Sequence, residues 1–411
     1  MKKVFILFII ILIIFLLSAR VPRLKKFLVN NFSNRQNNNS WTINDNPTQI
    51  NNNTNNNTNT NPDVPNNPID GRDIFGLNTS MPSREALLYS LSKMDDLNID
   101  KTRIWDNWIL REPSQGQYDW SGLDLRINEI YNSGKEFILT IKPVGVKDGK
   151  SAWYCDQKQA NKDSCIFDIQ YEDDFALYIE AIAKRYTGKI AKIQFQNEWD
   201  SDYHFVGTGQ DYVKYANILY EAVKKHSPET EVSLGSITKY PLLYLAGCQL
   251  GLLDTFYYKT GQLVSSSQRQ AWCDNPDTIA MYERVAYVFK NARYDMVDVH
   301  FYDDPQYWDE YMEALGTLNT RNLPVIITEF GGPNADDTRI DAYDENVQAS
   351  ELQRYLDKIY ELPVVEAYYF RLIEGEGEGI NHPLTGLMKL IEGNSTPVAK
   401  QTYEVFKNRL K

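Results

Sequence analysis

From residue 70 to the last residue, 411, the chain repeats one alternation: a short apolar run, then an amphipathic stretch long enough for a helix. The runs are "DIFGLN" (73–78), "DKTRIW" (100–105), "EFILTIKP" (136–143), "KIQFQNE" (192–198), "EVSLGS" (231–236), "MVDVHFY" (296–302), "PVIITEF" (324–330) and "VVEAYYFRL" (364–372). Helical periodicity follows them at about 83–97, 121–133, 171–187, 210–226, 277–291, 306–320, 345–361 and 397–409. Strands that alternate with helices pair in parallel, because each crossover helix returns the chain to the same edge. Eight such units predict an α/β fold of the (β/α)8 TIM-barrel kind rather than an open sheet. No glycine-rich GxGxxG or GxxxxGK[ST] follows the first run, which argues against a nucleotide-binding sheet.

Before residue 70 the chemistry differs. Residues 1–29 hold Lys2 and Lys3, an apolar run from Val4 to Leu17, then Ser18, Ala19 and a basic flank. That pattern predicts a signal peptide or a short membrane anchor, and a folded part outside the cell, secreted or membrane-anchored. Residues 30–69 are dominated by Asn with Thr and Pro, as in "NPTQINNNTNNNTNTNPDVPNNP", and predict a disordered linker, since they have little apolar surface to bury. The catalytic-size domain is then 70–411. The formal net charge of −12, with no Lys/Arg-rich run beyond the N-terminus, excludes nucleic acid as an expected partner. Export makes Cys155–Cys165 and Cys248–Cys273 expected disulfides; four reduced core cysteines are the alternative.

A barrel gathers the C-terminal ends of its strands on one rim, where catalytic side chains belong. The predicted strand ends carry Asn78, Arg103, Trp105, Lys142, Asn197, Glu198, His300, Tyr302, Glu329 and Arg371. The fourth strand is the sharpest case: an apolar run ends in an amide and a carboxylic acid. Burying a charge is costly unless it is paired or shifted in pKa. Either Glu198 is a surface strand end or it is delivered into a pocket. Glu329 ends the seventh strand, 131 positions later.

The ordered set "RIWDNW" on strand two, "QNE" on strand four, "VHFY" on strand six and "ITEFG" on strand seven resembles the clan A retaining glycoside hydrolases. "GLM" and "NSTPVAKQTYEVFKN" around the last helix agree with it, and families 39 and 5 are the nearest. The resemblance implies that Glu198 is the acid/base and Glu329 the nucleophile of an O-glycosidase acting by double displacement, with β linkages expected. It implies that Asn197 donates to the sugar 2-hydroxyl and that Arg103 and Tyr302 keep Glu329 ionised. His300 then orients the nucleophile or a sugar hydroxyl. Glu198 is expected to be kept protonated by the apolar surroundings of Trp199 and by the charge of Glu329. Many relatives carry a Trp at the end of strand eight; here "AYYFRL" offers Tyr369 and Phe370 instead. No cofactor is expected. With four His and no HxH or HExxH cluster, a metal-dependent hydrolase is disfavoured. A barrel that binds glycans without turnover is the alternative function.

Trp105, Trp108, Trp153, Trp199 and Trp272 fall at strand ends or in following loops. They either stack on the apolar faces of sugars or pack the core; Trp120 and Trp308 are read as core. Asn78 either caps its turn or serves the site. "IEGEGEGINH" (373–382) is an acidic loop that reads as solvated chain, a lid or a calcium site. With Asp303, Asp304, Asp336 and Asp337 it makes the mouth acidic, which favours a neutral glycan; Lys142 is the counter-example. The loops at 144–170 and 237–276 are long enough to be functional and are expected to shape the cleft walls. A monomer is expected.

Overall fold

A computed structural model describes residues 74–410 apart from 80–82, 148, 162–163, 168, 260–261, 303, 333–340, 375–383 and 391–395. The predicted signal or anchor segment and the Asn-rich linker lie outside the described residues. So do Asp303, Asp336, Asp337, Glu376 and Glu378. Among the described residues no helix is long and apolar enough to cross a membrane.

Eight parallel strands close a barrel: β1 (Phe75–Asn78), β2 (Lys101–Asn107), β3 (Glu136–Lys142), β4 (Lys192–Phe195), β5 (Glu231–Ile237), β6 (Met296–Phe301), β7 (Val325–Phe330) and β8 (Glu366–Tyr369). Neighbours follow chain order, and β8 returns to pair with β1. The barrel helices are α1 (Arg84–Asp96), α2 (Ser121–Asn132), α3 (Glu172–Arg185), α4 (Gly209–His226), α5 (Pro276–Asn291), α6 (Trp308–Leu318), α7 (Glu345–Glu361) and α8 (Gln401–Arg409). Their starts are encoded locally. Ser83 caps α1, Thr208 and Asp211 form a capping box on α4, and Asn275 with Pro276 opens α5.

Strand β1 and strands β3 to β8 are buried almost throughout because helices cover their outer faces and side chains fill the interior. Ile138, Met296, Ile326 and Tyr368 form one apolar layer inside the barrel. Gly76 is needed there: a Cβ at that position would lie 2.4 Å from the Tyr368 ring. The pairing register shifts between Val299 and His300 on β6 and between Ile327 and Phe330 on β7. Such irregularities re-aim side chains, and both fall where the rim begins.

The long loops carry the disulfides expected of them, Cys155–Cys165 and Cys248–Cys273. Each loop also holds small hairpins, among them Cys155–Ala160 with Cys165–Phe167 and Phe256–Lys259 with Gln262–Val264.

Candidate active site

Successive residues of a strand alternate between faces, so Arg103 and Trp105 share the inner face of β2. Arg103 is fully buried and its guanidinium reaches five side chains. It donates to Glu329 Oε1 at 2.6 Å, Asn197 Oδ1 at 2.9 Å, Gln194 Oε1 at 2.8 Å, Thr140 Oγ1 at 2.9 Å and, more weakly, Asn78 Oδ1 at 3.3 Å. The Trp105 ring lies 4.0 Å from the same guanidinium, nearer the mouth, with Lys142 Nζ 5.4 Å from it. One Arg therefore fixes residues from β1, β2, β3, β4 and β7 in one layer.

The strand β4 ends three residues earlier than its apolar pattern suggests. Gln196 and Glu198 both take left-handed backbone, with φ of 63° and 43°. L-residues adopt that region at an energetic cost, and it persists where surroundings enforce it. Here Ser236 on β5 does so, its hydroxyl accepting from the Glu198 N–H at 3.0 Å and its carbonyl from Trp199 N at 3.3 Å. Neighbouring Gly235 has φ 89°, and a Cβ there would sit 2.1 Å from the Phe195 carbonyl oxygen. The turn swings Glu198 over the mouth and sends Trp199 the other way. Trp199 is fully buried, stacks on Tyr212 at 4.4 Å and donates to the Gly235 carbonyl at 3.2 Å. The expected sugar contact by Trp199 is thus corrected: it is a core residue.

Glu198 and Glu329, remote in sequence, meet at this rim. Glu198, His300 and Glu329 each place one donor atom within 4.8 Å of the others. Tyr302 donates to Glu329 Oε2, and His300 Nδ1 stands 2.9 Å from Glu198 Oε1 and 3.6 Å from Glu329 Oε2. Burial pushes the Glu329 carboxyl up, but His300, Arg103 and the Tyr302 hydroxyl outweigh it and hold it below the usual range. The same trio is the one group of His and acidic side chains, among the described residues, close enough to share a cation. We assign none: Arg103 and Tyr302 already occupy the Glu329 oxygens, and a metal would face the guanidinium.

The expectation for Glu198 is reversed. Burial raises its carboxyl, yet His204 Nε2 at 2.9 Å from Oε2 and His300 at Oε1 lower it well below the ordinary value. His300 is correspondingly raised: burial opposes its charge, while Glu329 and Glu198 favour it. His204 was not anticipated from sequence. Its signal was there, since it is one of only four histidines and lies six residues after Glu198.

The other candidates sort by contact. Asn197 bonds Arg103 and the Ser236 hydroxyl. Asn78 is buried and donates to the Thr328 carbonyl at 2.8 Å, so it braces the layer. Trp108 is core, stacked on Tyr154. Trp153 and Trp272 are half-buried against the core, and Trp308 is buried. Tyr369 is buried and donates to the Thr385 carbonyl, whereas the half-buried Phe370 ring lies 6.3 Å from Tyr302 and faces the site. Glu374, read as part of an acidic loop, is buried on Lys400 at 3.0 Å; Asp304 pairs with Arg354 at 2.6 Å.

A cleft of about 570 Å³ opens from Glu198, His300 and Tyr302 toward α5. Its walls include Asp200, His204, Tyr240 and Arg284. Asp200, pushed up to about 6 by burial against its bonds to Thr238, joins the loop after β4 to that after β5.

Known folds agree with this geometry. The structure is similar to a family 39 glycoside hydrolase from the gut symbiont Bacteroides cellulosilyticus WH2 (12% identity, TM-score 0.55, 84% of this chain and 64% of that one). It is similar to a GH10 xylanase from Bispora sp. MEY-1 (12%, 0.56, 83% and 97%). It is also similar to an exo-beta-1,4-mannosidase from Opitutaceae bacterium strain TAV5 (17%, 0.53, 82% and 59%). The chain thus spans less than two thirds of the family 39 enzyme and of the mannosidase. At these identities the likeness is one of fold. No curated protein matches the chain in sequence. The sequence model of the family described as Cellulase (glycosyl hydrolase family 5) matches residues 105–361, more than half of the 411. The chain belongs to glycosyl hydrolase family 5 and is built on a clan A (β/α)8 barrel.

Proposed function

We propose that the enzyme cleaves β-glycosidic bonds in a neutral glycan with retention of configuration. The observation that carries this reading is the pairing of Glu198 and Glu329, their donor atoms within 4.8 Å, with Glu329 alone clamped by a guanidinium and a phenol. Retaining glycosidases place their two carboxyl groups about 5–5.5 Å apart. Glu329 attacks the anomeric carbon and forms an ester as the glycosidic bond breaks. Glu198 gives its proton to the departing oxygen. Water then attacks the ester, loses a proton to Glu198, and Glu329 leaves as a carboxylate. Asn197, held by Arg103, presents its amide to the 2-hydroxyl, where a hydrogen bond strengthens in the transition state.

The acid needs a proton that the resting carboxylate lacks. His300 supplies the account. Its Nε2–H donates to Thr328 Oγ1 at 3.0 Å, whose own hydroxyl donates to Asp298 at 2.8 Å. Nδ1 is therefore the titrating nitrogen, and it faces Glu198. The pair holds one proton between them, as coupled groups do, and the proton sits on oxygen when substrate arrives. Loss of the Glu329 charge on ester formation then favours the base form.

The two disulfides support an exported domain working outside the cell, secreted or tethered by the N-terminal segment, and we read it as a monomer. Intact mass with and without reductant, cell fractionation and sizing test these points. For the reaction, Glu198→Ala with an activated aryl β-glycoside should regain rate with azide and yield the β-glycosyl azide. NMR of the wild-type reaction should show the β-anomer first. An α-anomer as first product contradicts retention.

A further inference from the structure

Glu198 is gripped at both oxygens by imidazoles, and only one of these, His300, has a place in the reaction above. The other, His204, sits on the loop between β4 and α4, at a wall of the cleft. Its Nε2 lies 2.9 Å from Glu198 Oε2. Its Nδ1 is buried without a hydrogen-bond partner among the described residues. A buried N–H left without an acceptor costs more than a bare lone pair, and buried donors are rarely orphaned. That selects the tautomer with the proton on Nε2 and the lone pair on Nδ1. Nε2–H then donates to Oε2, which lowers the basicity of that oxygen and favours the acid proton on Oε1, where His300 Nδ1 can accept it.

Resting on the proposed reaction, we infer that His204 is a positioning residue that confines the transferable proton of Glu198 to Oε1, the oxygen shared with His300, and thereby sets the pH at which the glycosidic bond loses its acid. Several charged groups face this pair. Asp200 lies two residues on, and His300 and Tyr302 project from β6. Glu329 comes from β7 with Arg103 behind it, and across the cleft stand Lys239, Arg284 and Asp277. Arg284 is engaged by Asp202 at 2.5 Å, and Asp200 by Thr238. None of those two contacts reaches Oε2; His204 does.

The test compares His204→Ala with His204→Gln, the second keeping an N–H donor that does not titrate. On an aryl glycoside with a poor leaving group, His204→Ala should move the alkaline limb of kcat/KM up by about one pH unit, because the carboxylate loses a donor. His204→Gln should return the limb toward the wild-type position. With a 2,4-dinitrophenyl leaving group, which needs no proton, the limb should be absent in every form. Nitrogen-15 NMR of the histidines should show His204 protonated at Nε2, and its ring signals should move in Glu198→Gln. An unmoved limb in a folded His204→Ala protein overturns the inference. So does a His204 protonated at Nδ1 or blind to Glu198→Gln, and that readout needs no turnover. Absence of turnover on every glycoside would instead count against the proposed reaction.

Discussion

The two ends of the barrel use the same chemical group and do different things with it. At the C-terminal rim, Glu329 is held by a buried cation, Arg103, and a phenol, Tyr302. At the N-terminal end, Glu366 is held by a buried cation, Lys192 at 3.0 Å, and a phenol, Tyr368 at 2.8 Å. The floor pair closes on itself: Lys101 at 4.0 Å and Glu231 at 3.7 Å complete it. The rim pair has a second carboxylate, two imidazoles and left-handed backbone beside it, and a cleft in front. A clamped Glu is therefore no sign of function. Its company is, which agrees with the division of barrels into a catalytic top and a stabilising bottom.

The contrast can be broken hardest at the rim. Glu329→Gln, which keeps an acceptor for the buried Arg103, should lower turnover by about 10⁴-fold or more, as loss of a nucleophile does, with a smaller change in melting temperature than Glu366→Ala; a variant that keeps wild-type kcat ends the assignment. The floor should answer in the opposite currency. Glu366→Ala strands Lys192, and breaking a buried pair costs about 3–5 kcal/mol. Urea unfolding should show that loss while kcat per folded molecule stays within about two-fold of wild type.

Tyr302→Phe sharpens the rim account. The hydroxyl favours ionised Glu329, so its removal raises that carboxyl, and the acidic limb of kcat/KM moves to higher pH with a loss of about 10- to 100-fold. A limb that moves to lower pH contradicts the clamp. Least affected should be an ion pair without enclosure. Arg293–Glu221 at 2.8 Å is more than half exposed on both sides, and Glu221→Ala should change stability by less than about 0.5 kcal/mol.

Much of this was legible in the sequence. The eight strand–helix units follow from periodicity, because it is a local property. The carboxyl pair was found because barrel closure makes strand ends neighbours whatever their separation. What failed was direction. Nothing local says that Gln196 and Glu198 turn left-handed, since Ser236 and Gly235, about forty residues away, impose it. That turn buries Trp199 and brings in His204, so it also reversed the charge environment expected for Glu198. Tyr369 and Phe370 stood equal as candidates for the site; only the barrel's closure decides that Phe370 faces Tyr302.

The central claim is that Glu329 bonds to the sugar while Glu198 stands over the departing oxygen. Incubating the enzyme with 2,4-dinitrophenyl 2-deoxy-2-fluoro-β-glycosides of glucose, mannose and xylose, then sequencing the labelled peptide by mass spectrometry, reads that bond directly. The account predicts one fluoroglycosyl ester per chain, on Glu329, formed with a burst of dinitrophenolate. A label on Glu198 or any other carboxylate, or turnover of natural glycan by an enzyme that none of the three reagents labels, contradicts it.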